Sequence, residues 1–355
     1  MGAKLLYTKV VTSKLTEDDM KHSHSFKCII KPQQDGLPLI EALAQRFPYL
    51  KREEWQNLIT TGKVRVNNLP AEDTQIIRTN DNIETQIHEH QESRTEINIP
   101  TIYKDDAFLL VEKPVGMPVS RTGRIIFNTL INTLRHQHKN EEIQLMHRLD
   151  RETGGLILCA CNRQTCKQWQ QHLPKIMTRK FYLAVVRGNL QATNKLIQLP
   201  LTEKDDSAIR YQMHVDQDGK TATTTLHTIA ADTECSLVLA ELHTGRKHQI
   251  RAHLAHLGHP LFGDKIYSFN GHYFLTRLER ELNEEDYCKL GATHHTLHAW
   301  AAELHLPDHK PKLFFSQKFS GEMEQYLSHF PNWQQKAEEA LIALGITKEL
   351  LQGKT

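Results

Sequence analysis

The chain has 355 residues, 39% of them hydrophobic, and its 44 Lys and Arg against 42 Asp and Glu give a formal net charge of +2. That length suggests roughly two domains, because single cores stop growing at about 250–300 residues. The hydrophobic share suffices for a real core, and so small a net charge cannot by itself argue for a nucleic-acid partner.

Cys28, Cys159, Cys161, Cys166, Cys235 and Cys288 make neither a zinc-ribbon spacing nor a regular disulfide frame, so reduced thiols in a cytoplasmic protein are expected. The opening MGAKLLYTKVVTSK mixes charge with apolar residues and has no signal-peptide core. No apolar run approaches the ~18 residues of a membrane helix, which predicts a soluble chain.

Residues 1–25 are polar and mixed, with a short strand expected at Leu5–Val11. Residues 26–90 have the pattern of a small α/β module. Leu39, Ile40, Leu43 and Phe47 mark one helix, stopped by Pro48; Trp55, Leu58 and Ile59 mark a second, beginning near Arg52 and stopped by Gly62. Val64 and Val66 alternate with Lys63 and Arg65 before an Asn67-Asn68 turn, and further strands are expected at Ile76-Ile77 and Ile83–Ile87.

The polar stretch 91–100 has the composition of a linker. From 101 to 320 the expected strands are Phe108–Glu112, Leu156–Cys161, Phe181–Arg187, Thr221–Ile229 and Ser236–His243, with helices at 127–138, 163–173 and 247–257. Strands mixed with a few helices, without regular βαβ alternation, make this α+β. Residues 321–355 are expected to be a helical tail that packs or caps, with Ala337, Leu341, Ile342 and Leu344 as its apolar face.

Three segments carry chemistry. In Met146-His147-Arg148-Leu149-Asp150-Arg151-Glu152-Thr153-Gly154-Gly155, the paired glycines imply a tight turn with Asp150 on the loop before a buried strand. Apolar neighbours would raise the acid's pKa, and the flanking arginines would keep it ionised. Such a carboxylate suits nucleophilic attack or stabilisation of an oxocarbenium-like centre, although an Asp–Arg pair holding a turn fits the same spacing.

The second, Leu242 to His253, opens a helix whose apolar face is Ile250, Leu254 and Leu257. Arg246 and Lys247 stand at its N-terminus, where backbone amides favour anions. Arg251 lies close to the apolar face and should point inward, which requires a carboxylate partner. The third, Lys180-Phe181-Tyr182, begins a strand and sends its two aromatics to opposite faces, so one can stack on an extruded base while the other packs in the core. Residues 145–190 contain eight Lys or Arg against Asp150 and Glu152, an uneven distribution of the kind a nucleic-acid footprint shows.

Together these segments resemble the RluA-like family of pseudouridine synthases. HRLDRETGG is similar to that family's catalytic-Asp motif and GRKHQIRAHLAHLGHPLFGD to its third motif. Glu112-Lys113-Pro114 with Gly116, Lys180-Phe181-Tyr182, Gly219-Lys220-Thr221-Ala222 and Leu297-His298-Ala299 extend the likeness over about 101–320. The resemblance implies a mixed, largely antiparallel sheet with a central cleft. It implies Asp150 as the catalytic carboxylate, Arg251 as its salt-bridge partner and Tyr182 as the aromatic that stacks on the target base. Arg148 would fill the gap left by the flipped nucleotide, and Ile250 and Leu156 would line the pocket, with Arg246, Lys247 and His248 also at the substrate. Gly154 departs from a Ser found in many members.

Residues 36–88 resemble the S-four-like RNA-binding module often joined to this family, with Lys51, Arg52, Lys63 and Arg65 facing RNA. Asn68 and Asn80 stand where glycines are usual, and Asn tolerates the left-handed conformation. The implied activity is isomerisation of uridine to pseudouridine in structured RNA, with ribosomal RNA preferred over transfer RNA, no cofactor and no metal.

Two rivals remain. One is a metal-dependent hydrolase built on His248, His253, His256 and His259 or on His294, His295 and His298, although no zincin Glu or acidic cluster accompanies them. The other is a non-catalytic RNA-binding or folding factor.

Overall fold

The computed structural model describes residues 24–46, 52–72, 74–87, 97–122, 125, 127–204, 207, 209 and 211–352. The strand expected at Leu5–Val11 lies outside them. Two compact units divide the chain, one within 1–94 with 122–126 and the other within 95–121 with 127–355.

The first unit contains β1 (His24–Ile29), α1 (Leu39–Arg46), α2 (Arg52–Thr60), β2 (Val64–Val66), β3 (Leu69–Pro70) and β4 (Asn82–Ile87). Its antiparallel sheet runs β1-β4-β2-β3. The helical spacing of Leu39, Ile40 and Leu43 on α1, and of Trp55, Leu58 and Ile59 on α2, turns both apolar faces onto Val64, Val66, Ile77 and Ile83. Asn67 and Asn68, at φ 51° and 70°, form the two-residue connection of β2 to β3, and Asn80 has φ 75°. Asparagine thus adopts left-handed backbone at each of these turns. The strand expected at Ile76-Ile77 is instead a loop, in which buried Ile77 exchanges hydrogen bonds with the backbone of Gly36 and Leu37.

The second unit is built on a ten-stranded sheet. Its strands are β5 (Thr101–Lys104), β6 (Phe108–Lys113), β7 (Gln144–Leu145), β8 (Gly154–Ala160), β9 (Met177–Arg187), β10 (Lys195–Gln198), β13 (Thr223–Ala231), β14 (Cys235–Leu242), β15 (Leu297–Leu304) and β16 (Lys312–Phe315). The order is β10-β13-β14-β9-β15-β8-β6-β5, with β16 on β15 and β7 on β8. β11 (Leu201–Glu203) and β12 (Met213–Val215) form a separate hairpin. Every pairing in the large sheet is antiparallel except β8 with β15, joined in parallel over only two positions, His298 to Gly154 and Ala299 to Gly155.

The paired glycines therefore do not form the turn that the sequence suggested; they lie inside β8 at this junction. Gly155 has φ 102°, and a Cβ there would sit 2.2 Å from the Ala299 carbonyl oxygen. Only glycine permits that approach.

Period-two alternation gives the sheet two apolar faces. One carries Val111, Ile157, Tyr182, Ala184 and Val238 and is covered by α3 (Leu130–His138) and α6 (Gln249–His256). The reverse face carries Phe181, Leu183, Leu237 and Leu239 against residues of α9 (Gly321–Ser328), α10 (Trp333–Ala343) and α11 (Lys348–Gln352). Elsewhere on it, Leu110, Leu156 and Leu158 pack with Ile176 and Met177.

Two expected boundaries move. Ile99 is fully buried and its backbone exchanges two hydrogen bonds with the Gln137 side chain, so the linker expected over 91–100 does not extend through Ile99. The tail expected over 321–355 supplies Ala337, Leu341, Ile346 and Leu351 to the core and is part of the second unit, although Ile342 is exposed. Among the described residues, no helix is long and apolar enough to cross a membrane.

Candidate active site

An open cleft of about 460 Å³ lies on the α6 side of the second unit, with Asp150, Tyr182, Ile250 and Arg251 in its wall. The loop before β8 delivers Asp150, β9 delivers Tyr182, and α6 delivers Ile250 and Arg251. Helical phase turns Arg251 inward beside buried Ile250 and Leu254, leaving its side chain 6% exposed. Its Nη1 donates to Asp150 Oδ2 at 2.8 Å. The Asp150 side chain is 27% exposed, so the acid is paired on one side and open to the cleft on the other.

Arg251 has a second carboxylate that the sequence did not reveal. Its Nε and Nη2 donate to Asp264 Oδ2 and Oδ1 at 2.7 and 2.9 Å, and Asp264 is fully buried. Asp264 also accepts the backbone N–H groups of Ile266 and Tyr267. The only hint was its place at the end of GHPLFGD, within a quoted motif but without an assigned role.

Burial pushes the Asp150 carboxyl up, but the Arg251 guanidinium, helped by His248 and His295, outweighs burial and holds it below the ordinary carboxylate range. The cation that keeps it charged is thus Arg251 and not the flanking Arg148 and Arg151. His248 Nε2 lies 3.9 Å from Asp150 Oδ1, and its Nδ1 meets the Tyr267 hydroxyl at 3.2 Å. Burial and the Arg251 charge push His248 down to about 3, so it is neutral at physiological pH.

The acid loop is anchored from beneath. Lys113, 1% exposed, donates to the carbonyls of Pro114, Met117 and Arg151, and burial lowers its pKa to about 7. Gly116 N–H also donates to the Arg151 carbonyl. Thr153 Oγ1 lies 2.8 Å from His295 Nε2, and Lys265 donates to Glu152 at 3.1 Å. His147 Nε2 accepts the Leu158 N–H, tying the loop's start to β8.

Tyr182 is 7% exposed and faces the cleft while Phe181 packs in the opposite core, as the alternation predicted. Burial and the Asp150 charge raise its hydroxyl pKa, so the ring is neutral. Arg148 is exposed at the cleft and has no acceptor among the described residues. Arg246, also in the cleft wall, donates from Nε to the Thr221 carbonyl; Lys247 pairs with Glu203 at 2.6 Å and lies 5.1 Å from the Tyr211 ring.

Leu156 is the residue the structure removes from the pocket. It is buried on the reverse face with Phe108, Leu158 and Met177, because one step along β8 from Gly155 changes face. Gly154 is close-packed: a Cβ there would meet Val115 at 2.9 Å and His298 at 3.1 Å.

The eight cations of 145–190 do not form one patch. Arg179 makes a bidentate pair with Glu241 and donates to the Leu344 carbonyl, and Arg187 donates to the carbonyls of Lys289 and Leu290. In the first unit, Arg52 pairs with Glu41 at 2.8 Å, Arg65 is exposed, Lys63 is half-buried, and Lys51 lies outside the described residues.

Several of the histidines weighed as metal ligands have other partners. His253 meets Thr224 Oγ1 and the Leu199 carbonyl, His259 the Arg187 carbonyl, and His298 the Ser316 hydroxyl. Among the described residues, the group whose ligand atoms are close enough for a metal is Asp232, Cys235 and His329, none of them in the cleft.

The sequence profile of the RNA pseudouridylate synthase family matches residues 107–256. The mitochondrial tRNA pseudouridine(32) synthase of Saccharomyces cerevisiae is 31% identical over 69% of this chain and 53% of its own length. The ribosomal large subunit pseudouridine synthase D of Nitrosomonas europaea is 28% identical over 84% of this chain and 85% of its own. The chain spans about half the length of the yeast relative. A solved human structure, RNA pseudouridylate synthase domain containing 4, covers 64% of this chain and 92% of its own at 23% identity and a TM-score of 0.48.

Proposed function

Residues 107–256 belong to the RNA pseudouridylate synthase family, in its RluA-like branch, and from that premise we propose that the protein isomerises uridine to pseudouridine in RNA with Asp150 as its catalytic carboxylate. The observation that carries the reading is Asp150 itself: a charged acid, paired with a buried guanidinium on one side and open to the cleft on the other. The reaction breaks the uridine's carbon–nitrogen glycosidic bond, turns the uracil and joins it again through a ring carbon. No electrons or groups enter or leave.

Each residue has a part in that sequence. The uridine leaves its stack at a cost of about a few kcal/mol. Exposed Arg148 occupies the gap and offsets part of that cost. The Tyr182 ring stacks on the uracil, and Ile250 packs beside it. Asp150 acts on the nucleoside as nucleophile or as proton acceptor. The apolar part of the wall, Leu149, Leu242, Ile250 and Leu297, limits water at the detached base.

Ribosomal RNA is the target we favour, because the Nitrosomonas relative bears that name and matches 84% of the chain; the yeast relative makes transfer RNA the second candidate. The first unit is assigned as an S-four-like module that grips RNA through Lys51, Arg52, Lys63 and Arg65. Cysteine spacings that make no regular disulfide frame fit a cytoplasmic setting. The test is Asp150→Ala assayed on ribosomal and transfer RNA. Product should vanish while RNA binding persists, and pseudouridine made by the purified variant would overturn the assignment.

A further inference from the structure

The loop that carries the catalytic acid borders two pockets. Arg148, Leu149, Asp150 and Thr153 line the cleft. Arg151 and Glu152 line a second, open pocket of about 550 Å³ together with Lys265, Arg277, Tyr287 and His294. Nothing in the assigned chemistry uses it.

The second pocket is cationic. Lys265 lies 3.1 Å from Glu152, so these two charges cancel. Nearby Glu322 accepts hydrogen bonds from Thr293 and from the His294 N–H and lies 3.8 Å from His294 Nδ1. Arg151 and Arg277 remain, two cations in the lining against the one Glu322 carboxylate outside it. Arg151 Nε donates to the Gly116 carbonyl at 2.8 Å, which fixes the side chain while its two Nη groups have no acceptor among the described residues. Arg277, exposed in the last turn of α7 (His272–Glu279), has none either.

We infer that this pocket binds a backbone phosphodiester of the substrate RNA, at a nucleotide near the extruded uridine. The inference rests on the RNA-isomerase reading and assigns a second anchoring point for the same substrate. A guanidinium presents planar paired donors to phosphate oxygens, and two uncompensated guanidiniums beside a neutralised pair favour an anion over a cation. Residues 150 and 151 are consecutive, with Cα atoms about 3.8 Å apart. An RNA strand whose uridine reaches Asp150 can bring a neighbouring phosphate to Arg151, because one loop separates the two pockets. Holding the backbone on the far side of the acid loop gives leverage for turning the nucleotide into the cleft.

The test measures binding of the full chain to transcribed large-subunit ribosomal RNA and to unfractionated transfer RNA across a potassium chloride series. Wild type, Arg277→Gln, Arg277→Glu and Arg151→Gln are compared. Each lost phosphate contact lowers the slope of log affinity against log salt by about 0.7–0.9, and the Gln variants should bind roughly eightfold more weakly at about 0.1 M salt. Arg277→Glu should bind more weakly still, on a surface helix where the substitution leaves the core intact. Slopes and affinities equal to wild type in both Arg277 variants overturn the inference and leave the isomerase reading standing. A wild-type protein that binds neither RNA overturns both.

Discussion

Arg251 gives two guanidinium hydrogen bonds to Asp264 and a third to Asp150, so one buried cation is aimed by the first acid at the second. Asp264 is thereby a positioning residue. In Asp264→Asn, an amide NH₂ can face the guanidinium in place of an acceptor, and Arg251 loses its fixed orientation. Stability should fall by about 3 kcal/mol, the cost of breaking a buried pair, and turnover by at least about tenfold, one 1.4 kcal/mol step in the barrier. Urea unfolding with single-turnover assays checks this, and an Asn variant as stable and fast as wild type would show that Asp264 does not set the geometry.

The aromatic on β9 makes a different prediction. Its hydroxyl has no hydrogen-bond partner among the described residues, while its ring is packed and faces the cleft. Tyr182→Phe should keep turnover within about threefold, less than 1 kcal/mol of barrier. Tyr182→Ala removes the stacking surface, opens a cavity costing about 3–5 kcal/mol, and should abolish activity. If Phe were as inactive as Ala, the hydroxyl and not the ring would be the working part.

At the parallel junction, Gly155→Ala forces a Cβ into the Ala299 carbonyl at a backbone angle that disfavours it. The variant should be insoluble or lose several kcal/mol, at about the upper range for point changes. Gly258→Ala is the control: its φ is 86° but nothing lies within 4 Å of the added Cβ, so only about 1 kcal/mol is expected. Similar denaturation midpoints for the two would contradict the close approach of β8 and β15.

Acid should destabilise this fold early. Burial lowers His147 and His295 to about 4, and His248 and His298 to about 3, from an unfolded value of 6.5. A histidine held neutral by the fold contributes stability that is complete above 6.5 and is lost as pH falls toward the folded value. Near pH 5 each such group has given up ~2 kcal/mol. Asp150, held low, stays charged through that window, so its stabilising contribution is lost only below about 4. Urea midpoints should therefore drop steeply between pH 6.5 and 5, and above 7 they should change only through Lys113, whose folded form sheds its proton near 7 so that stability rises gently with pH. A midpoint unchanged down to pH 5 would mean these rings are not held neutral.

Local periodicity explains what could be foreseen. Alternation placed Phe181 and Tyr182 on opposite faces, and helical phase turned Arg251 inward. The same alternation, followed one residue further, puts Leu156 behind the sheet, where motif likeness had set it in the pocket. Asp264 was hidden because its partner lies 13 residues earlier and meets it only through the folded loop. β15 escaped notice because LHAWAAEL is rich in Ala and Leu, which favour helix; its place between β8 and β9 overrides that preference. The run of cations in 145–190 looked like one surface because sequence density cannot show that Arg179 and Arg187 bind Glu241 and main-chain carbonyls.

The groups that fasten the acid loop come from chain positions as far apart as Lys113, Arg251, Lys265 and His295. No short fragment brings them together. The geometry around Asp150 is consequently a property of the completed unit, and any change that loosens one of these distant anchors reaches the acid.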